Sequence, residues 1–408
     1  MGNTLAVILA GGQGKRMGKL CLHRPKPALP FAGNYRVIDF ALSNCLHSGI
    51  GNVAVLSDYQ RSYMANYLRQ WIKGQKIDED FAMDVLEANS HYLGTADAVY
   101  QNLEYLRKKG AETIAVLAAD HVYKMDYREM LSFHEANKAD ATVAVVSMPP
   151  EKAKRFGTVS VAVDNRILNF VEKAETPQSN LVSMGIYIFN LEALTKHLCG
   201  DAKKPTSVHD FGYSIIPEMV RQDRTFAYQF QGYWRDIGTT EAYFETNMEL
   251  ARQQSTFSLN GTWPIITANK EMALPKFSSE GNIVNSIISP GCIIKGRVEH
   301  SVISSGVWVG EDAIIKDSVL MANVFIGPDS RVESSIIDEG VSVGRSCLIG
   351  AINSQPIIHN KITILEKDMV VPSCTNIGRD ETEFLINEIT QYMSTPKDTE
   401  TSYALAKY

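Results

Sequence analysis

Leu5-Ala6-Val7-Ile8-Leu9-Ala10-Gly11-Gly12-Gln13-Gly14-Lys15-Arg16 begins as an apolar run and ends as a glycine-rich, cationic loop. Such a run, closed by glycines, reads as a buried strand of an α/β sheet, and the loop after it falls at the sheet edge where ligands bind. Three glycines let the backbone turn sharply and bring bare N–H groups against phosphate oxygens, where a Cβ would obstruct. Lys15 and Arg16 add positive charge at the same place. The spacing excludes two familiar phosphate loops. A P-loop needs Ser or Thr after its Gly-Lys pair, but Lys15 is followed by Arg16. A dinucleotide fingerprint needs a further glycine where Met17 stands.

Downstream, Arg24-Pro25-Lys26-Pro27-Ala28-Leu29-Pro30 presents Lys26 from a stiff support, because the flanking prolines fix φ. Strands are expected at 5–9, 53–57, 113–119, 141–147, 158–163 and 182–189, alternating with amphipathic helices as in a doubly wound, Rossmann-like α/β sheet with mostly parallel strands. One helix is expected from Thr95, with its hydroxyl as cap, Val99, Leu103 and Leu106 at helical spacing, and Gly110 as the stop. Asp120 closes the run Ile114-Ala115-Val116-Leu117-Ala118-Ala119 and so should project at the carboxyl edge of a central strand. A carboxylate there suits a divalent cation.

The second half repeats. Gly310, Gly327 and Gly344 are spaced by 17 residues, as are Val309, Ile326 and Val343, or Ile303, Leu320 and Ile337, or Ile315, Val332 and Ile349. A short unit with one inward aliphatic cannot bury its apolar edge alone, whereas stacked coils can, so a parallel β-helix of hexapeptide repeats is expected. Ser289-Pro290-Gly291-Cys292-Ile293-Ile294 reads as an earlier, offset coil. The expected division is 1–252 for the first domain, 253–275 for a linker, 276–378 for the β-helix, and 379–408 for a C-terminal helix and frayed tail.

At 408 residues two domains are the prior, and 45% hydrophobic with 21% charged residues is ordinary globular composition. No apolar run approaches the ~20 residues that a bilayer needs, and the start passes directly into a strand, so no membrane contact and a cytoplasmic setting are expected. Six cysteines without a Cys-x-x-Cys pair suggest neither a zinc site nor a disulfide framework. A net charge of −6 offers nucleic acid no general attraction.

The glycine loop, the Arg24-Pro25-Lys26-Pro27 segment and Tyr35-Arg36-Val37-Ile38-Asp39-Phe40-Ala41-Leu42-Ser43-Asn44 together resemble the sugar-nucleotide pyrophosphorylases, most closely the branch that makes ADP-glucose. The resemblance continues through Gly94-Thr95-Ala96-Asp97, Asp120-His121-Val122-Tyr123, Phe170-Val171-Glu172-Lys173, Ser183-Met184-Gly185, His209-Asp210-Phe211-Gly212 and Trp234-Arg235-Asp236. It implies a nucleotidyltransferase using ATP and glucose 1-phosphate, a left-handed β-helix, a homotetramer, small-metabolite effectors, and Mg2+ held by Asp120 and Asp236. Arg16 and Lys26 would hold the triphosphate and, with Asp120, carry the chemistry. Leu9, Ala10, Gly11, Gly12, Gly14 and Lys15, with Tyr92, Gly94, Thr95 and Asp97, would bind the nucleotide. Glu172, Lys173, Ser183, Gly185, Asp210 and Trp234 would bind the sugar phosphate.

Two departures concern selectivity and regulation: His91 stands where bacterial relatives commonly have Trp, and His23 where a regulatory lysine is often found. Three alternatives stay open. The chain could act on another nucleotide or sugar, serve as a non-catalytic regulatory subunit, or carry an acyltransferase on its coils. Retention of Arg16, Lys26, Asp120, Lys173 and Asp236 favours catalysis over the second. His300 lies near the start of the repeat and His359 after it, so a spacer and oligomer interface is preferred to the third.

Overall fold

The computed structural model describes residues 3–74, 81–88, 91–252, 257–268, 273–277, 282–350 and 362–378. The helix and tail expected over 379–408, and His359, lie outside the described residues. The chain divides into two compact units, one of Met1–Phe31, Tyr35–Ala242 and Thr256–Lys270, the other of Ala32–Asn34, Tyr243–Ser255 and Glu271 onward.

The first unit is built on a nine-stranded sheet. Its strands are β1 (Thr4–Leu9), β2 (Asn52–Ser57), β3 (Ala82–Glu87), β4 (Thr113–Ala118), β5 (Ala141–Ser147), β6 (Gly157–Val161), β7 (Ile167–Glu172), β8 (Leu181–Asn190) and β9 (Thr225–Gln229). The order is β7-β6-β8-β4-β1-β2-β3, with β5 pairing with β8 and β9. Only β7 and β8 run against the others, so the sheet is mostly parallel. Central strands buried on both faces need continuous apolar runs, and Leu5, Ala6, Val7 and Ile8 are all at most 1% exposed. Because β2 and β4 flank β1 in parallel, the residues after all three strands emerge on one edge. The β8 register slips between Ser183 and Tyr187, where Gly185 takes φ 66°, an irregularity that re-aims side chains.

The single helix expected from Thr95 is two, Thr95–Gln101 and Leu103–Lys108. Asn102 at the break donates from Nδ2 to Tyr92 Oη at 3.2 Å and to the Ala98 carbonyl at 2.8 Å. The Thr95 hydroxyl does not cap its own helix. The first free N–H groups of the helix, of Ala96 and Asp97, are taken by the His209 carbonyl at 2.8 and 3.2 Å.

Within the stretch expected as a linker, residues 257–268 are a strap packed on the first unit's helices Ile38–His47 and Arg61–Lys73. Trp71 Nε1 donates to the Ile266 carbonyl at 3.1 Å, Trp263 Nε1 to Asn44 Oδ1 at 3.0 Å, and the Ile266 N–H to Ser43 Oγ at 2.8 Å.

The second unit contains a parallel β-helix. Its short strands stack into sheets of six, six and five, and successive coils pair Trp308 with Phe325 and Phe325 with Ser342, and likewise Ile315 with Val332 and Val332 with Ile349. Inward aliphatics Ile303, Val309, Ile315, Leu320, Ile326, Val332, Ile337 and Val343 are 0% exposed, which is the burial the repeat required. A polar ladder shares the period. Ser301, Ser318 and Ser335 each donate to the carbonyl two residues earlier, and the hydroxyls of Ser301 and Ser318 accept the N–H of the next serine at 3.1 and 3.2 Å. Buried corner amides are thereby satisfied.

Candidate active site

A cavity of about 360 Å3 opens where β1, β2 and β4 end, lined in part by Gly11, Gly12, Lys26, Asp58, Tyr92 and Asp120. Gly14 takes φ 66°, and a Cβ there would stand 2.9 Å from Cys21 Sγ, so both conformation and space call for glycine. Gly94 lies so close to the Val208 and His209 carbonyls that a side chain would strike backbone. That approach brings the helix Thr95–Gln101 against the segment carrying Asp210, and both Thr95 and Asp210 line the cavity. Thr95 Oγ1 donates to Asp210 Oδ2 at 2.8 Å and accepts the Phe211 N–H at 3.0 Å.

Lys26 opens the 3-10 turn Lys26–Ala28 behind Pro25, and is only 6% exposed. Its ammonium lies 2.6 Å from Asp120 Oδ2 and 4.0 Å from Asp236 Oδ1. Asp236 arrives through a two-stranded ribbon in which Trp234–Asp236 pairs with His121–Tyr123, setting Asp236 opposite His121. One donor atom from each of Asp120, His121 and Asp236 falls within 4.8 Å of the others. Burial pulls the Asp120 carboxyl upward, but the Lys26 ammonium and His121 overcome it and hold the group well below the usual carboxylate range. An anionic pair of that kind is a fitting donor set for a hard divalent cation. Arg16 reaches the same place, since a Cβ on Gly238 would stand 3.2 Å from Arg16 Nη2 and 2.9 Å from Asp236 Oδ2.

Asp210 continues toward Glu172. Its Oδ1 accepts the Gly212 and Tyr213 N–H groups at 2.9 and 3.2 Å, and a Cβ on Gly212 would stand 2.5 Å from Glu172 Oε2. Glu172 is therefore confined. Burial raises its carboxyl, Lys173 at 3.1 Å lowers it, and Asp210 raises it further, with a net upward shift. Lys173, at φ 49°, extends over the Tyr213 ring at 5.3 Å. Ser183 Oγ accepts the Gly185 N–H at 3.2 Å.

The residues singled out from sequence thus fall into connected groups. Leu9, Gly11, Gly12, Lys26, Tyr92, Gly94, Thr95, Asp120 and Asp210 line the cavity, Arg16 and Asp236 meet at Gly238, and Glu172 joins through Gly212. Of three others, one is exposed and two are engaged elsewhere. Lys15 is exposed, Asp97 accepts the Leu93 N–H and Gln101 Nε2 at 2.9 and 2.7 Å, and Trp234 is core, 3% exposed against His121 and Phe156. Sequence reasoning missed Asp58, which lines the cavity and holds His91 Nδ1 at 3.1 Å and Arg61 Nη2 at 3.0 Å. Burial opposes ionisation of Asp58, but His91 and Arg61 prevail and lower it. The same sign that gave Asp120, a carboxylate just after a buried strand, would have found it.

The Nucleotidyl transferase family model matches residues 5–253, and a GlmU-like, C-terminal hexapeptide model matches residues 272–355. The chain is 40% identical over 393 residues to a glucose-1-phosphate adenylyltransferase of Fervidobacterium nodosum, covering 93% of this chain and 95% of that protein. It is 41% identical to one of Clostridium perfringens strain SM101, covering 91% and 98%, and 43% identical to one of Thermotoga maritima over 78% and 77%.

Proposed function

Since the chain belongs to the nucleotidyl transferase family and, within it, to the glucose-1-phosphate adenylyltransferases, we propose that it converts ATP and glucose 1-phosphate into ADP-glucose and pyrophosphate by the following division of labour. The phosphate of the sugar attacks the α-phosphorus in line and pyrophosphate leaves. Little covalent work falls to the protein, so holding two repelling anions together and neutralising the transferring group carry the acceleration. The loop N–H groups of Gly11 and Gly12 and the cations Arg16 and Lys26 receive the triphosphate. Tyr92 and Thr95 wall the nucleotide. Glu172, Asp210 and Ser183 offer oxygens to the sugar hydroxyls, and Lys173 takes its phosphate. Asp120 and Asp236 would hold Mg2+, which, when bound, supplies charge neutralisation on the phosphates.

The observation that carries this reading is the convergence of Lys26, Asp120 and Asp236 beside the glycine loop, with Lys26 Nζ within 2.6 and 4.0 Å of the two carboxylates. A panel of nucleoside triphosphates and sugar 1-phosphates, with pyrophosphate release as readout, tests it. Turnover is expected with ATP and glucose 1-phosphate; its absence there with turnover on another pair would reassign the substrates, and silence throughout would favour a regulatory subunit.

The product would feed glycogen or a related α-glucan in the cytoplasm, under small-metabolite control. No described helix is long and apolar enough to cross a membrane. A homotetramer would cover the exposed apolar ladder on one β-helix sheet, where Ile293, Phe325 and Val370 are 38%, 40% and 45% exposed and Trp308 stacks on Phe325 at 4.4 Å. Light scattering of the purified chain measures that state.

A further inference from the structure

Resting on the reading that Asp210 serves the sugar, we propose that Asp201 and His209 are positioning residues for glucose 1-phosphate, acting through the turn that carries Asp210. Asp201 closes the helix Leu191–Asp201 and is only 6% exposed. Its two oxygens take two donors from one turn: Oδ1 accepts the Ser207 hydroxyl at 2.7 Å, and Oδ2 accepts from His209 Nδ1 at 2.8 Å. Ser207 Oγ in turn accepts the His209 N–H at 3.0 Å. A single carboxylate thus holds His209 by both its ring and its backbone. The hold is needed, because the His209 φ of 53° lies in the left-handed region, which a residue with a side chain keeps only where its surroundings impose it.

The turn hands this geometry to the cavity by two routes. The His209 carbonyl accepts the Ala96 and Asp97 N–H groups at 2.8 and 3.2 Å, so the helix Thr95–Gln101 starts where His209 places it. Asp210, the next residue, accepts the Thr95 hydroxyl on Oδ2 at 2.8 Å and the Gly212 and Tyr213 N–H groups on Oδ1. Thr95 and Asp210 both line the cavity, and a change in the His209 backbone would move both. The chain arrives at the turn through exposed residues 203–206, which leaves Asp201 as the buried anchor at its base. One carboxylate, outside the cavity, thereby fixes the aim of another inside it, and small displacements of groups that hold a reactant are costly.

The test compares variants of the full chain by pyrophosphate release. His209→Gly accepts the left-handed backbone but lacks the ring, so the fold is kept while the grip of Asp201 on the side chain is lost. Its KM for glucose 1-phosphate should rise about tenfold, the scale of one lost hydrogen bond to a charged group, with kcat and the KM for ATP within about threefold of wild type. His209→Asn should restore the wild-type KM, because its amide nitrogen stands where Nδ1 stood and asparagine tolerates the same backbone. Asp201→Asn turns one of the two accepting oxygens into a donor and should raise the same constant, less than additively when combined with His209→Gly. An unchanged KM in His209→Gly, or a rise for both substrates that His209→Asn leaves uncorrected, overturns the proposal and makes the contact a matter of stability alone. If the wild type works only on another pair of substrates, the assignment of glucose 1-phosphate falls, while the same comparison on that sugar phosphate still decides the role of Asp201 and His209. Silence of the wild type on every pair overturns both.

Discussion

Asp120 combines two properties that a neutral isostere separates: it anchors Lys26 at 2.6 Å and it contributes anionic charge to the centre shared with Asp236. Asp120→Asn should keep the fold, because the residue follows β4 rather than packing inside it, yet lower turnover by about 10^2- to 10^3-fold, the scale of losing one charge-stabilising group. Unchanged circular dichroism with wild-type pyrophosphate release would contradict its placement. Thr95 separates the two substrates differently. Its hydroxyl holds Asp210 and the Phe211 N–H, so Thr95→Val should free both and raise KM for glucose 1-phosphate more than for ATP, with a stability loss of about 1–3 kcal/mol. Equal rises in the two constants would argue against that link. The strand-end position made Asp120 legible in the sequence, and the glycine loop likewise. The job of Thr95 was not, because a threonine opening a helix looks like a cap until the His209 carbonyl is seen to occupy that place.

At the scale of elements, the coil period was readable because aliphatics and glycines kept their 17-residue interval, and register in a stacked helix tolerates no slip. The serine ladder obeys the same interval but carries no hydrophobic signal, so it surfaced only as hydrogen bonds. Ser318 accepts from the Ser335 amide and donates to the Lys316 carbonyl. Ser318→Ala strands a buried N–H and should destabilise the β-helix by about 1–3 kcal/mol in denaturant unfolding followed on that unit. Gly327→Ala tests the corner itself. A Cβ there would stand 2.5 Å from the Gly344 carbonyl carbon, which is backbone and cannot swing aside, so the coils must separate. A midpoint shift within error for both variants would show that neither device holds the stack. The helix after Gly94 teaches the complementary lesson, since its apolar spacing was right while Asn102, bonding Tyr92, broke it in two.

For the whole molecule, buried apolar runs made strands such as 5–9, 53–57 and 113–119 legible, but not the strap over 257–268, because the polar stretch from Arg252 to about Gly261 reads as a linker and the hold of the strap depends on distant helices. Beneath it lies Asp39, 0% exposed, accepting from Tyr67 Oη at 2.6 Å and from the Arg36 N–H at 2.8 Å, with Tyr67 also 3.3 Å from Thr267 of the strap. Burial pushes the Asp39 carboxyl up from 3.8 to about 7, against the pull of Tyr67, the Arg36 amide, Thr267 and the Arg36 charge. The native state therefore binds this proton more tightly than the unfolded chain does. The stability it contributes is complete below pH 3.8 and is lost as pH rises through about 7. Depressed carboxylates such as Asp58 and Asp120 act in the opposite sense at lower pH, so the wild-type profile alone mixes the two. The difference between the wild type and Asp39→Asn isolates the buried proton: the variant should gain relative stability steadily from pH 4 to 7 and hold that gain above it. A difference that stays level across the range in urea titrations would mean that Asp39 is ionised beneath the strap, with Tyr67 and Arg36 stabilising the anion.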